Sequence, residues 1–191
     1  MTFNFDEIKY NNSCLAKLST DNEVKIIREK LTNFSPIPFD IAEKGNQNRP
    51  IRIYVEGVYD LFHYGHANLL FQAKNYFPGP VWVVAGVSNE VECEKYKRKP
   101  IMRSDERVLS VRHCRHVDEV IENVPWITTI SFLNENKLDF MMHDAKLYPS
   151  GDVADVYEEA KANGRFIPSK RTENTSTTEI IDHIIRSYNK S

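Results

Sequence analysis

The sequence predicts an α/β fold: a Rossmann-like, doubly wound, five-stranded and mainly parallel sheet with helices on both faces. Three observations predict it. Short β-branched runs alternate with helix-period stretches from residue 51 to residue 188. One run, VWVVAGV at 81–87, is almost continuously apolar, as a strand covered on both faces must be. Glycines, histidines and hydroxyl residues gather just after the run ends, and sheets of this kind bind ligands outside the carboxyl ends of their strands.

The elements follow in order. Residues 1–49 read as an N-terminal extension rich in Asn and Ser, either an arm packed on the domain or a second subunit, or a loosely ordered leader. Asp21 is a good N-cap for a short helix through Val24, Ile27 and Leu31, which Pro36 and Pro38 end. Residues 50–191 form the α/β domain. Ile51, Ile53 and Val55 alternate up to Gly57 as the first strand, and Leu69, Leu70, Ala73, Tyr76 and Phe77 mark a helix. Pro78-Gly79-Pro80 then punctuates the chain before the second strand, 81–87. Ser104 opens a helix carrying Val108, Val111 and Cys114, and 117–121 is the third strand. Phe132 and Leu133 belong to a short helix, and LDFMMH at 138–143 is the fourth strand. A helix is expected over 152–163, stopped by Gly164, then a fifth strand at Phe166-Ile167 and a last helix over about 177–188.

Bulk properties bound the function. The 191 residues fit one domain, and a formal net charge of −2 argues against a strongly basic nucleic-acid surface. Cys14, Cys93 and Cys114 match no disulfide or zinc spacing, so a reducing compartment is the simplest home. There is no basic start followed by an apolar run, and no stretch nears the roughly 20 apolar residues that span a bilayer. The expectation is a soluble, cytoplasmic protein.

The chemistry gathers after the strands. Between the first strand and its helix stands His63-Tyr64-Gly65-His66. A helix start has backbone N–H groups without internal partners and the positive end of the dipole, so it suits phosphate. Two imidazoles three residues apart, with Gly65 between them, can both face an anion there; the alternative is a pair of histidines on an ordinary loop. Lys95, Lys97, Arg98 and Lys99 follow the second strand, either on a mobile loop that closes over an anion or as a solvated surface cluster. The run 170–177, KRTENTST, opens the last helix; Arg171 offers a planar fork for phosphate, and Ser176 or Thr177 caps. His143-Asp144 ends the fourth strand.

These residues carry a resemblance. Gly57 to His66 (GVYDLFHYGH), Lys97, Glu106-Arg107, 117–121 (VDEVI), Pro125-Trp126, His143-Asp144, Arg171-Thr172-Glu173 and Ser176-Thr177 stand in one order over about three-quarters of the chain. In that order the sequence resembles the cytidylyltransferases of the HxGH nucleotidyltransferase superfamily, most closely the catalytic domain of the choline-phosphate enzymes. The resemblance implies transfer of CMP from CTP to phosphocholine, giving CDP-choline and pyrophosphate for phospholipid synthesis. It assigns catalysis to His63, His66, Lys97 and Arg171. CTP would be held by these together with Gly57, Val58, Tyr59, Asp60, His143, Asp144, Thr172, Ser176 and Thr177, with Mg²⁺ delivered on the nucleotide and no protein metal site. Trp126, Tyr148 and Tyr157 would cage the quaternary ammonium, with Asp144 as counter-charge. An ethanolamine-phosphate or glycerol-3-phosphate acceptor is the alternative, and a nucleotide-binding sensor with a weakened site is the non-enzymatic one.

Three positions depart from the family pattern. Glu56 stands where Asp is common before the glycine, Ala145 follows His143-Asp144 where a second Asp is usual, and Asn174 replaces the glycine after Arg-Thr-Glu. Asn tolerates a left-handed backbone, so that turn is expected to survive. The segment 115–121 matches the family's dimer contact, so a homodimer is expected. Ile180, Ile181, Ile184, Ile185 and Tyr188 form an apolar stripe expected to pack on the core or at a subunit contact, and lipid regulation is not expected of this short helix.

Overall fold

The computed structural model describes residues 15–151 and 153–188. Its centre is β2 (Ile51–Gly57), buried along almost its whole length. On one side β2 pairs in parallel with β3 (Val81–Ser88), which pairs with β4 (Glu119–Val124); on the other it pairs with β5 (Phe140–Asp144), then β6 (Phe166–Ser169). A sixth, two-residue strand, β1 (Lys17–Leu18), adds to the edge beside β4. The order is β1-β4-β3-β2-β5-β6, every pair parallel. Connections from β2 run outward on one side and then return to run outward on the other, so the order reverses between β2 and β5. That reversal opens a crevice at the strand ends.

Strand periodicity divides the core in two. Ile51, Ile53 and Val55 of β2, with Val83 and Ala85 of β3, face one layer with Leu70 and Ala73 of α3 (Tyr64–Lys74) and Val108 and Val111 of α5 (Ser104–Arg112). Tyr54 and Val84 point the other way, onto Leu133 of α6 (Ile130–Glu135) and Ala160 of α7 (Glu158–Ala162). Both faces are therefore covered, as the unbroken apolar character of β3 requires.

The N-terminal residues that are described pack into this same sheet. Beyond β1, Ala16 N–H donates to Arg112 C=O, Val24 of α1 (Asn22–Glu29) is fully buried, and Ile37 joins the larger core layer. A short helix, α2 (Phe39–Lys44), follows Pro38.

Four expectations change. The basic run begins in a helix, α4 (Glu90–Tyr96), with Lys97 as its C-cap, because Asn89 caps it by accepting from Glu92 N–H. The third strand starts at Glu119, two residues later than expected. The helix expected from 152 starts only at Glu158, because Asp155 accepts from Tyr157 N–H two residues on, a local bond that competes with helix formation. The apolar stripe of α8 (Thr177–Tyr188) is not covered by the core: no residue of that helix is buried, and Ile184, Ile185 and Tyr188 stay exposed.

Candidate active site

The crevice after β2 and β5 is a cleft of about 490 Å³. One wall is the start of α3. His63 is its N-cap, in extended backbone, and its Nδ1 accepts from Gly65 N–H at 3.1 Å; His66 Nδ1 accepts from His63 N–H at 3.3 Å. The two rings stack with centroids 3.8 Å apart. A Cβ on Gly65 would meet the His63 ring at 3.0 Å and Thr175 C=O at 3.3 Å, so a side chain there would push the imidazole off the helix end. Since both Nδ1 atoms accept, each neutral ring carries its proton on Nε2. Burial lowers the pKa of His63; for His66 burial, then His63 and Lys97, hold it at about 3. Both rings therefore stay neutral near pH 7, as donors through Nε2–H.

The facing walls bring cations. Lys97, Arg98 and Arg171 line the cleft. Lys97 sits below the usual lysine range, first through burial and then through Arg98. Among the described residues no carboxylate lies within ion-pair distance of Lys97, and Arg171 reaches only Asp144, at 3.8 Å. A cluster of this kind is built to receive an anion.

The hydroxyls expected at the cleft line it, and the structure also gives them structural partners. Asn68 Nδ2 donates to Thr172 Oγ1 (2.8 Å), Thr177 Oγ1 donates to Asp60 C=O (3.0 Å), and Glu179 N–H donates to Ser176 Oγ as a cap of α8. Asn174 takes φ +53°, the left-handed conformation expected of it.

The loop residues Gly57, Val58, Tyr59 and Asp60 line a smaller chamber of about 130 Å³ that shares His66, Lys97, His143 and Thr177 with the main cleft. Within it Tyr59 is fully buried and its hydroxyl donates to Val55 C=O (2.8 Å). The Asp60 carboxylate accepts from the N–H groups of Ile101 and Met102, tying the stretch after α4 to this loop.

A third chamber of about 220 Å³ opens beside the second. Trp126, Tyr148 and Tyr157 all line it. Tyr96 joins them, stacked on Trp126 with centroids 5.7 Å apart, and was not foreseen because a lone Tyr at a helix end carries no signal. Asp144 does not line this chamber; it accepts from the Tyr148 hydroxyl at 2.7 Å and so steadies one wall. The carboxylate that does line it belongs to Glu56. Glu56 is buried, accepts from Thr128 Oγ1, and burial raises its pKa to about 7. Its place before Gly57 was visible in the sequence; its direction into the aromatic chamber was not. His143 lines all three chambers. Its ring packs on Tyr157 and Tyr148, burial lowers its pKa, and among the described residues its Nδ1 has no hydrogen-bond partner.

Among the described residues there is no group of three His, Cys, Asp or Glu side chains placed to hold a metal, and no helix long and apolar enough to cross a membrane.

A stacked pair of neutral histidines at a helix start faces Lys97, Arg98 and Arg171 where the order of a doubly wound sheet reverses, an arrangement suited to an anion. Residues 54–183 match the family described as cytidylyltransferase-like, and the chain belongs to that family. The chain is 46% identical over 144 residues to a Schizosaccharomyces pombe protein named as a probable choline-phosphate cytidylyltransferase, covering 75% of this chain and 40% of that one. Against human choline-phosphate cytidylyltransferase A it is 45% identical over 153 residues, 80% of this chain and 41% of that one. An ethanolamine-phosphate cytidylyltransferase of Dictyostelium discoideum is 42% identical over 137 residues, 72% and 37% of the two chains. The chain thus spans about two-fifths of the length of these relatives. A lipopolysaccharide core biosynthesis protein from Thermoplasma volcanium shares the fold, with a TM-score of 0.51 at 19% identity over 64% of this chain and 98% of that one.

Proposed function

We propose that this chain transfers CMP from CTP to phosphocholine, releasing pyrophosphate and forming CDP-choline. The observation that carries this reading is the junction of two rooms: a cationic cleft with neutral histidine donors opens, past His143, into an aromatic chamber with a buried carboxylate. A quaternary ammonium offers no hydrogen-bond donor and is held by aromatic faces and a carboxylate; that chamber contains both groups, in Tyr96, Trp126, Tyr148, Tyr157 and Glu56. The relatives named for phosphocholine support the same acceptor.

In the reaction an oxygen of phosphocholine attacks the α-phosphorus of CTP. The new P–O bond forms as the bond to the β-phosphate breaks, and negative charge grows on the departing pyrophosphate. The chain's part is positioning and charge stabilisation. His63 and His66 donate Nε2–H to the triphosphate oxygens on which charge builds, and the positive end of the α3 dipole adds to their effect. Lys97 and Arg171 close on the triphosphate from the opposite wall. Mg²⁺ brought with the nucleotide would neutralise part of the same charge, beside Lys97 and Arg171.

Pyrophosphate release from CTP, measured separately with phosphocholine, phosphoethanolamine and glycerol 3-phosphate in Mg²⁺, tests the reading. Strong preference for phosphocholine is the expected result. Preference for another acceptor keeps the phosphate machinery and removes the cage; absence of turnover with all three means a site that binds nucleotide without catalysing, or an acceptor outside this set.

The chain is further proposed to act as a homodimer through the segment around 115–121. There the ring of His116 meets the half-exposed ring of Phe71 edge-on, centroids 5.3 Å apart. A monomer mass by light scattering at micromolar protein would remove this part.

A further inference from the structure

We infer that Thr128 is a positioning residue of the acceptor chamber, its hydroxyl holding the Glu56 carboxylate aimed at the acceptor's cationic head. The inference rests on the functional reading above and deepens it.

Thr128 lies two residues beyond Trp126 and is fully buried, although it lines none of the three chambers. Its Oγ1 donates to Glu56 Oε2. Glu56, at the end of β2, faces both the aromatic chamber and the loop chamber. Among the described residues no cation pairs with this buried carboxylate; its side-chain hydrogen-bond partners are the hydroxyls of Thr128 and Tyr157. An ionised carboxylate so placed is costly unless something positive meets it, and a bound ammonium is the partner the protein does not supply.

Every other group around Glu56 leaves the balance delicate. Glu92, from α4, raises its pKa, and the phenols of Tyr54 and Tyr59 lie near on β2 and the following loop. His143, held neutral, and the ammonium of Lys97 open onto the same chambers. Burial is the largest influence and pushes the carboxyl up to about 7; the Thr128 hydroxyl opposes it, because an O–H donor favours the charged form. Without that donor the carboxyl is more often protonated at neutral pH and freer to turn away.

The test compares wild type with Thr128→Val, which keeps the volume and removes the donor, and Thr128→Ser, which restores it. Pyrophosphate release is followed from pH 6 to pH 9 with phosphocholine varied and CTP saturating, and then with CTP varied. The substrate phosphate titrates alike in all three proteins, so differences between them report the protein. For Thr128→Val the expected result is a phosphocholine KM raised about tenfold at pH 7, with kcat and the CTP KM within about twofold. The acid limb of kcat/KM should move up by about one pH unit, the size typical of losing one hydrogen bond to a charged group. Thr128→Ser should recover both. Adding Thr128→Val to Glu56→Gln should change the phosphocholine KM less than about twofold, since the carboxylate it serves is gone. Should Thr128→Val not fold, Thr128→Ala carries the same predictions. A wild-type pH profile and KM in the folded variant, or a full additional loss on the Glu56→Gln background, overturns the inference while leaving the function intact. Wild type that ignores phosphocholine overturns both.

Discussion

The two ends of the sheet treat charge in opposite ways. At the ends where strands begin, buried acids are saturated. Asp139, just before β5, accepts from the N–H groups of Ile37 and Arg52 (2.9 Å each) and from both terminal nitrogens of Arg49 (2.7 Å each). Glu119, opening β4, takes Arg52 at 2.7 Å, the Trp82 indole N–H at 3.1 Å and the guanidinium of Arg28. Where strands finish, the charges are left more open: among the described residues Lys97 has no acid within ion-pair distance, Arg98 and Arg171 meet Asp60 and Asp144 only at 3.4 and 3.8 Å, and Glu56 has no cation. The protein completes its own ion pairs where it needs a fixed frame and leaves them looser at the other end, where on the function proposed above substrates bring the missing charge.

The sharpest way to break this contrast is to remove an acid from the closed end. Asp139→Ala strands Arg49 and two backbone N–H groups. It should cost about 3–5 kcal/mol of folding stability, the size expected when one partner of a buried pair is lost. Urea unfolding measures it, and turnover per folded molecule should hardly change. A loss below about 1 kcal/mol would mean that the closed end is not the frame.

At the open end the effects should invert. His66→Asn leaves a side-chain oxygen that can accept from His63 N–H, but removes the Nε2–H donor. It should lower kcat about a hundredfold or more, the size of losing one transition-state contact, with little change in stability at pH 7. The acid side gives a second readout. His66 titrates at about 3 in the fold and near 6.5 when unfolded, so between these values the unfolded chain binds the extra proton. Stability should therefore decline as pH falls through this window, by on the order of 1 kcal/mol per pH unit, and His66→Asn should flatten the decline. An unchanged slope would show that the ring is not held neutral by its burial.

How much of this was legible in the sequence follows the same division. Strand periodicity placed β2 and β3 and came within two residues of the start of β5, the Ser-Thr run placed the start of α8, and the histidine pair with Lys97 and Arg171 stood out because polar residues after strand ends have few structural duties. The frame was harder to see. Asp139 and Glu119 act through partners 37 to 102 residues away in the chain, which no local pattern records. The same holds for Glu56 with Thr128, 72 residues apart. The late start of α7 was hidden by Asp155, whose side chain replaced helix bonds with a turn.

The smallest expected effect tests how firmly the loop carrying Arg171 is preset. Asn174 holds φ +53° on an exposed turn between Arg171 and the Ser176 cap. A left-handed backbone costs an ordinary side chain roughly 1–2 kcal/mol, less for Asn and nothing for Gly. Asn174→Ala should therefore add about 1 kcal/mol of local strain, and the turn should open before the domain unfolds. Arg171 would then have to be gathered again when the triphosphate arrives. The expected result is a CTP KM raised about fivefold, since about 1.4 kcal/mol is tenfold, with kcat and the unfolding midpoint nearly unchanged. Asn174→Gly should stay within about twofold of wild type, because glycine adopts the same φ without strain but frees the unfolded loop. If alanine is silent, Arg171 is set by the cleft itself and not by its turn, and the open end is less dependent on backbone geometry than its missing ion pairs imply.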